Sequence, residues 1–386
     1  MSRQIGTFAP PVAERIRSWG VLGTVPRVIA AGLVVFALLY IVVIAEPPPE
    51  IGGNWRTTSS GSAIDDWQNF VITLLNGLTF AGWLFIVASG FSLIFGLMRV
   101  VNMAQGSFYL LGGYIAYEVQ QSMTGQGFSL QSVEVNTWEW IYPALVACLV
   151  VAVVGLIVQQ VFLSWNMGQE LRQALITIAI SVIIADQIIA HFPRHVPEGA
   201  VKFGGNAVSM AWPGWANIRV ELPLIGIDYS LARLIVLFLG VMTGVSLWLW
   251  LHRTRTGMVI RAGVDDRQMT SALGVDYRFV FGLAFFVGSA LAALGGAVGA
   301  SQGNIASGQD GQWLLYSLVV VIIGGMGSLI GAAAGSLLYG LVFSFAASYL
   351  PTTGNECCTN YSVVFTFVLL ALVLAFRPQG LFGRIG

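Results

Sequence analysis

One lysine, three histidines and three cysteines are all that 386 residues hold of the side chains that nucleotide, metal and redox sites draw on most. The lysine, Lys202, is not part of a phosphate-binding glycine loop, and no Walker A pattern occurs, so the chain carries no ATP-binding motif. His191, His195 and His252 are too few and too scattered for paired haem ligation, which disfavours a membrane anchor for a redox complex. Cys148, Cys357 and Cys358 have no metal-ligand spacing. No catalytic residue, metal or cofactor is expected. Charge is scarce as well: 9% of the residues, against about 25% in a soluble domain. A formal net charge of zero without any Lys/Arg cluster speaks against nucleic acid as a partner.

What the chain has in quantity is apolar length. Hydrophobic residues make up 56% of it and its mean hydropathy is +0.79, which places it among polytopic membrane proteins of the all-α class. Runs of about 20 apolar residues predict spans near 28–45, 67–97, 103–120, 140–164, 172–190, 229–251, 279–300, 313–326, 328–350 and 361–376, about ten crossings in all. The first reads as an anchored helix, not a cleaved signal peptide, because a long tail precedes it and Val43 and Ala45 come before Glu46 without a small-x-small site. The run at 313–326 is short and ends in Gly324-Gly325-Met326-Gly327, the pattern of a broken or re-entrant segment.

The arginines set the expected orientation. With the amino terminus in the cytosol, inner segments hold Arg3, Arg15, Arg17, Arg27, Arg99, Arg172, Arg253, Arg255, Arg261, Arg267, Arg278, Arg377 and Arg384. The outer segments hold only Arg56, Arg194, Lys202 and Arg219. Both termini and the 252–278 loop are then cytoplasmic. An even number of crossings divides into two five-span halves of opposite orientation, the arrangement of inverted-repeat transporters.

That inner loop contains a polar, cappable stretch, Arg261 to Gly274. Asp265 is placed to act as an N-cap with Gln268 three residues on, and Gly274 to close the far end. Met269, Ala272 and Leu273 share one face beside the charges of Asp266 and Arg267. Such a helix suits docking on a soluble cytosolic partner; the alternative is a helix resting on membrane lipid. On the outer side, the loop from about His191 to Asp228 carries Trp212 and Trp215, which look exposed and suit either a partner surface or a cover over the span ends. The 46–66 loop reads as a stiff Pro47-Pro48-Pro49 exit followed by a flexible connector.

Polar side chains within the apolar zone are candidates for a substrate path: Asn76, Asn102, Gln105 and Asp186, with Gln187 beside it. Asn102 and Gln105 share a helical face next to Gly106, which permits a bend. Gly295 and Gly299, then Gly327, Gly331 and Gly335, repeat at four-residue spacing, which lets helix backbones approach closely or leaves room for a path.

Three ordered blocks carry a family resemblance. Gly90 to Tyr114 (GFSLIFGLMRVVNMAQGSFYLLGGY) closely resembles the amino-terminal signature of LivH-type permeases, the membrane subunits of branched-chain amino-acid ABC importers. Thr256-Gly257-Met258 with Arg261 to Gly274 resembles their cytoplasmic loop. Gly324 to Gly335 with Arg377-Pro378-Gln379-Gly380-Leu381-Phe382-Gly383-Arg384 resembles their carboxy-terminal pattern. One departure stands in the first block, where Gln105-Gly106-Ser107 replaces the His then Gly-Glu of many members. The resemblance covers roughly residues 70–384. It divides the chain into 1–66, an amino-terminal cytoplasmic tail, extra transmembrane helix and periplasmic connector, and 67–386, a permease domain.

The resemblance implies an ABC importer permease fold in a bacterial inner membrane. It also implies a periplasmic solute-binding protein, ATP-binding cassette subunits that hydrolyse ATP, and a second related permease subunit. The expected function is alternating access driven by ATPase contacts at the 265–273 helix, importing branched-chain or related amino acids. Urea, a short amide or another small solute is the alternative cargo, and a stand-alone secondary carrier or facilitator the alternative class.

Overall fold

The computed structural model describes residues 67–98, 101–124, 135–166, 169–191, 207–222, 227–265, 277–349, 361–377 and 379–382. The expected span at 28–45, the 46–66 connector and the Cys357-Cys358 pair lie outside them. The helices are α1 (Trp67–Met98), α2 (Gln105–Thr124), α3 (Thr137–Ile157), α4 (Glu170–His191), α5 (Leu231–Arg253), α6 (Arg255–Asp265), α7 (Tyr277–Gln302), α8 (Asp310–Gly324), α9 (Leu329–Tyr349) and α10 (Tyr361–Phe376). A two-stranded antiparallel hairpin, β1 (Arg219–Leu222) and β2 (Ile227–Ser230), precedes α5 and pairs Val220 with Tyr229.

Six of the described segments are long and apolar enough to cross a membrane: Gln68–Met98, Thr137–Asn166, Glu170–His191, Leu231–Arg253, Phe279–Gln302 and Leu329–Ser348. The protein is a multi-pass membrane protein. The expected count of about ten crossings is not confirmed: among the described residues α2, α8 and α10 fall short of these six in length or hydropathy, and the span at 28–45 lies outside them. Local chemistry fixes several ends. The Asn136 N–H donates to Glu139 Oε2 at 2.9 Å, the returning half of a capping box that opens α3. The far end of α3 winds into a π turn, Val158–Leu163, and a 3-10 turn, Ser164–Asn166. Gly325, at φ 104°, stops α8 where any side chain would be strained.

The bundle is built twice. α1 packs along α9 as α7 packs along α3; α2 packs on α3 as α8 packs on α9; α2 meets α4 as α8 meets α10. α1 and α7 form the centre and run antiparallel, since Trp83 lies at Gly295 and Gly299 while Gly90 lies at Gly288. These contacts relate α1–α4 to α7–α10 as an inverted repeat of four helices each; the further span that the expected five-span half includes, 28–45, lies outside the described residues. Leu84, Phe91 and Ile94 of α1 and Phe281 and Phe285 of α7 are fully buried in one hydrophobic core. In lipid such association rests on close packing, and small residues supply it.

The end of the bundle that carries the hairpin is covered. Residues 207–216 run across it, with Val208 paired to Ile305 and the Met210 N–H donating to Ala300 O at 2.8 Å. The Gln120 amide holds Ala211 from both sides, donating to its carbonyl and accepting its N–H. Trp212, expected to be exposed, is buried and stacked on Trp140 with ring centroids 5.0 Å apart. Trp215 is exposed as expected, and its indole N–H donates to Thr137 Oγ1.

Candidate functional site

Two helices begin in the middle of the bundle. After α1 the chain turns back, and α2 starts beside Gly288, near the midpoint of α7, where the Gln105 Nε2 group donates to the Gly288 carbonyl. After α7 the chain turns back again, and α8 starts against α2, with the Asp310 carbonyl in contact with the space over Gly106. A Cβ on residue 106 would overlap that oxygen, so only glycine allows the two amino termini to meet. Helices whose N-termini converge within the bundle are a recurrent construction of transporter sites, since unpaired N–H groups and the positive helix ends point inward.

Polar groups gather at this junction. Ser107 Oγ lies 2.7 Å from Ser181 Oγ and also donates to Asp310 Oδ2 at 3.4 Å, drawing in α4. Asp310, which lies between the predicted spans 279–300 and 313–326 and carried no signal in the sequence, is the carboxylate that the fold brings to this junction. On the hairpin side a cavity of about 170 Å³ opens past Gly303 and Asn304, which are exposed. Its wall is aromatic: Trp83, Tyr109, Trp313 and Tyr316, with Gln309 and Gln312 from the start of α8. Trp313 stacks on Tyr109 at 4.3 Å and tilts against Trp83 at 4.4 Å. Phe80, Tyr339 and Phe343 extend the cluster behind Tyr316. The Trp83 indole N–H donates to Gly295 O at 2.9 Å, which sets its ring on the wall.

Residues 73–374 match the family described as branched-chain amino acid transport system / permease component. The chain belongs to this family. The high-affinity branched-chain amino acid transport permease BraD of Pseudomonas aeruginosa is 27% identical over 319 residues, covering 82% of this chain and 96% of BraD. The corresponding LivH of Escherichia coli K12 is 25% identical over the same shares. A solved chain of a putative metal-chelate type ABC transporter in an inward-facing conformation aligns at 16% identity and a TM-score of 0.44, covering 90% of this chain and 99% of that one.

Within this permease the residues singled out in the sequence fall in several places. Asn102 and Gln105 are buried at the base of the junction and off the cavity wall. Asn102 Oδ1 accepts the Ala104 N–H, and Asn102 Nδ2 donates to Gln105 Oε1 at 3.5 Å, so the two amides close the turn into α2. Asn76 lies between α1 and α5, where Oδ1 accepts from Tyr229 and from Arg233. Asp186 and Gln187 are exposed on the outer flank of α4, away from the cavity.

Gly295 and Gly299 meet Val87, Tyr109 and Trp83, and Gly299 also lines the cavity, so a packing glycine borders it. Gly331 presses on Gly324, Gly335 on the Val320 carbonyl, and Gly327 on Gly96, all as packing glycines. Of the docking stretch, Asp265 is the last residue of α6, a helix that starts ten residues before it at Arg255. Asp266, Arg267, Met269, Ala272 and Leu273 lie outside the described residues.

The wall residues Trp83, Tyr109, Gln309, Gln312, Trp313 and Tyr316 had no prior signal from charge or metal-ligand type. A pattern would have found Gln312 and Trp313: Gln105-Gly106-Ser107-Phe108 recurs as Asp310-Gly311-Gln312-Trp313, a polar residue, glycine, polar residue and aromatic at the head of each of the two helices.

Proposed function

We propose that this chain is the transmembrane permease subunit of an ATP-driven ABC importer for branched-chain or related amino acids. The observation that carries the reading is the family match across residues 73–374. The mid-bundle junction of α2 and α8 agrees with it, because such a junction offers a place where a solute leaves water without leaving hydrogen-bonding groups. ATP is bound and hydrolysed by separate cassette subunits, which dock on the segment that follows α6. A second related permease completes the membrane part, and an extracytoplasmic solute-binding protein delivers cargo to the hairpin end. The hairpin end faces the periplasm and both termini face the cytosol of a cell whose inner membrane holds the complex.

Transport follows from two states of one bundle. Nucleotide binding in the cassettes favours one packing of the halves over the other, and the difference in contact free energy between the two states sets how far the population moves. Reconstitution of the full complex in liposomes tests the reading. Uptake of radiolabelled leucine should require ATP on the cassette side and binding protein on the other; leucine uptake that proceeds without either would make the chain a facilitator.

A further inference from the structure

A native bundle seldom leaves a buried donor without a partner, and the exceptions mark places kept for something else. Among the described residues the Tyr109 hydroxyl is such an exception, as are the Tyr117 hydroxyl and the Gln159 amide. Gln159 sits in the π turn and Tyr117 farther along α2, both off the cavity wall. Tyr109 is on the wall, with its hydroxyl against Gly299, another wall residue, where the methyl of an alanine would overlap it. The protein keeps that oxygen buried, unbonded and beside the cavity.

The rest of the wall limits what can bind. It holds no side chain that is charged at neutral pH: Asn304, Gln309 and Gln312 supply amides, and Asp310 is not part of it, its carboxylate accepting from Ser107 instead. A volume of about 170 Å³ is slightly above the roughly 150 Å³ of a cavity that accepts benzene. The geometry points to a cargo site inside this subunit that takes one small solute without net charge, its apolar part against Trp83 and Trp313 and a polar group on the Tyr109 hydroxyl. This rests on the importer reading and adds to it a place for the cargo within the permease, one whose volume and uncharged wall fit a net-neutral amino acid of about leucine size. The α-ammonium and α-carboxylate of such a zwitterion offset one another, whereas a further ionised group on the side chain would leave water and meet no counter-charge, so amino acids with a net charge are turned away in the permease itself.

Tyr109→Phe removes one oxygen that bonds nothing in the protein, so assembly stays as in the parent. In proteoliposomes holding the complete transporter, the KM for radiolabelled leucine should rise about five- to tenfold, the loss of one neutral hydrogen bond. An unaltered KM in this variant overturns the site. If Tyr109→Phe fails to assemble, Gln312→Glu carries the test, since a carboxylate on the wall should weaken leucine uptake and admit lysine; an unaltered leucine-over-lysine preference overturns the site equally. A parent complex that imports only net-charged amino acids removes the site and leaves the importer reading standing. A parent complex with no ATP-dependent amino-acid uptake removes both.

Discussion

The Asp310 carboxylate accepts a hydrogen bond from the Ser107 hydroxyl at 3.4 Å, joining the first turns of two helices that lie 203 residues apart in the chain. Each turn has N–H groups that its own helix cannot satisfy, so a negative charge there is favourable by about 0.3–1 kcal/mol, and up to about 2 in partly buried settings. Asp310→Asn keeps an acceptor for Ser107 and removes the charge, whereas Asp310→Leu removes both. Thermal unfolding of the purified permease should rank parent above Asn above Leu. A leucine variant as stable as the parent would show that the contact holds nothing together.

α2 and α8 both carry glycine as their second residue, Gly106 and Gly311, in opposite surroundings. A methyl at 106 would overlap the Asp310 carbonyl, while one at 311 meets open space. Gly106→Ala should therefore destabilise by about 1–3 kcal/mol, as overpacking does, and reduce the yield of folded protein. Gly311→Ala should be neutral or gain about 0.4–1 kcal/mol from lost freedom of the unfolded chain. Fluorescence-detected gel filtration of both variants reads the contrast, and equal yields would contradict it.

Helix positions were legible in the sequence because lipid demands long apolar runs, and the run at 313–326 was legible as broken because it is too short and ends in glycines. Facing was not. Asp186 stands in an apolar run and was a candidate for the path, yet it is exposed on the flank of α4, since apolarity in a membrane helix does not separate the bundle side from the lipid side. Trp212 looked exposed because it sits in a polar loop; the Gln120–Ala211 clamp and the Trp140 stack bury it. Asp310 stands in a polar stretch that reads as a connector, and only the re-entry after α7 carries it inward.

Asn102 and Gln105 hold the turn into α2 through bonds to each other and to Gly288, and replacing both with leucine removes these. At about 0.6 kcal/mol on average for an interhelical bond, and up to ~1.7, the loss should show first in assembly. Full complex yield with reduced leucine uptake would instead give the pair a place on the path.

The docking expectation is tested at Leu273. Leu273→Asp should abolish substrate-stimulated ATP hydrolysis by the complex and leave membrane insertion intact. Reduced membrane stability with normal stimulation would point to the lipid-interface role for this segment.

Orientation is open to chemical labelling. With native Cys357 and Cys358 replaced, a cysteine at 265 should react with a membrane-impermeant thiol reagent only from inverted vesicles, and one at 205 only from the outer side. Opposite accessibility would reverse the arginine argument.

At 1.5 Å per residue, the 15 residues of α8 rise about 22 Å, well short of a hydrocarbon core of about 30 Å. Such a segment, headed by a carboxylate, is a poor stop for an insertion machine and has no stable place in lipid alone. Its berth is the glycine face of α2, which leaves the ribosome 203 residues earlier. Synthesis order therefore suits the architecture: the first half of the repeat is in the membrane as a cradle before the second half needs it. A rearranged gene that delivered α8 before α2 would leave Asp310 to enter lipid without Ser107, and quality-control proteases would meet a stalled chain.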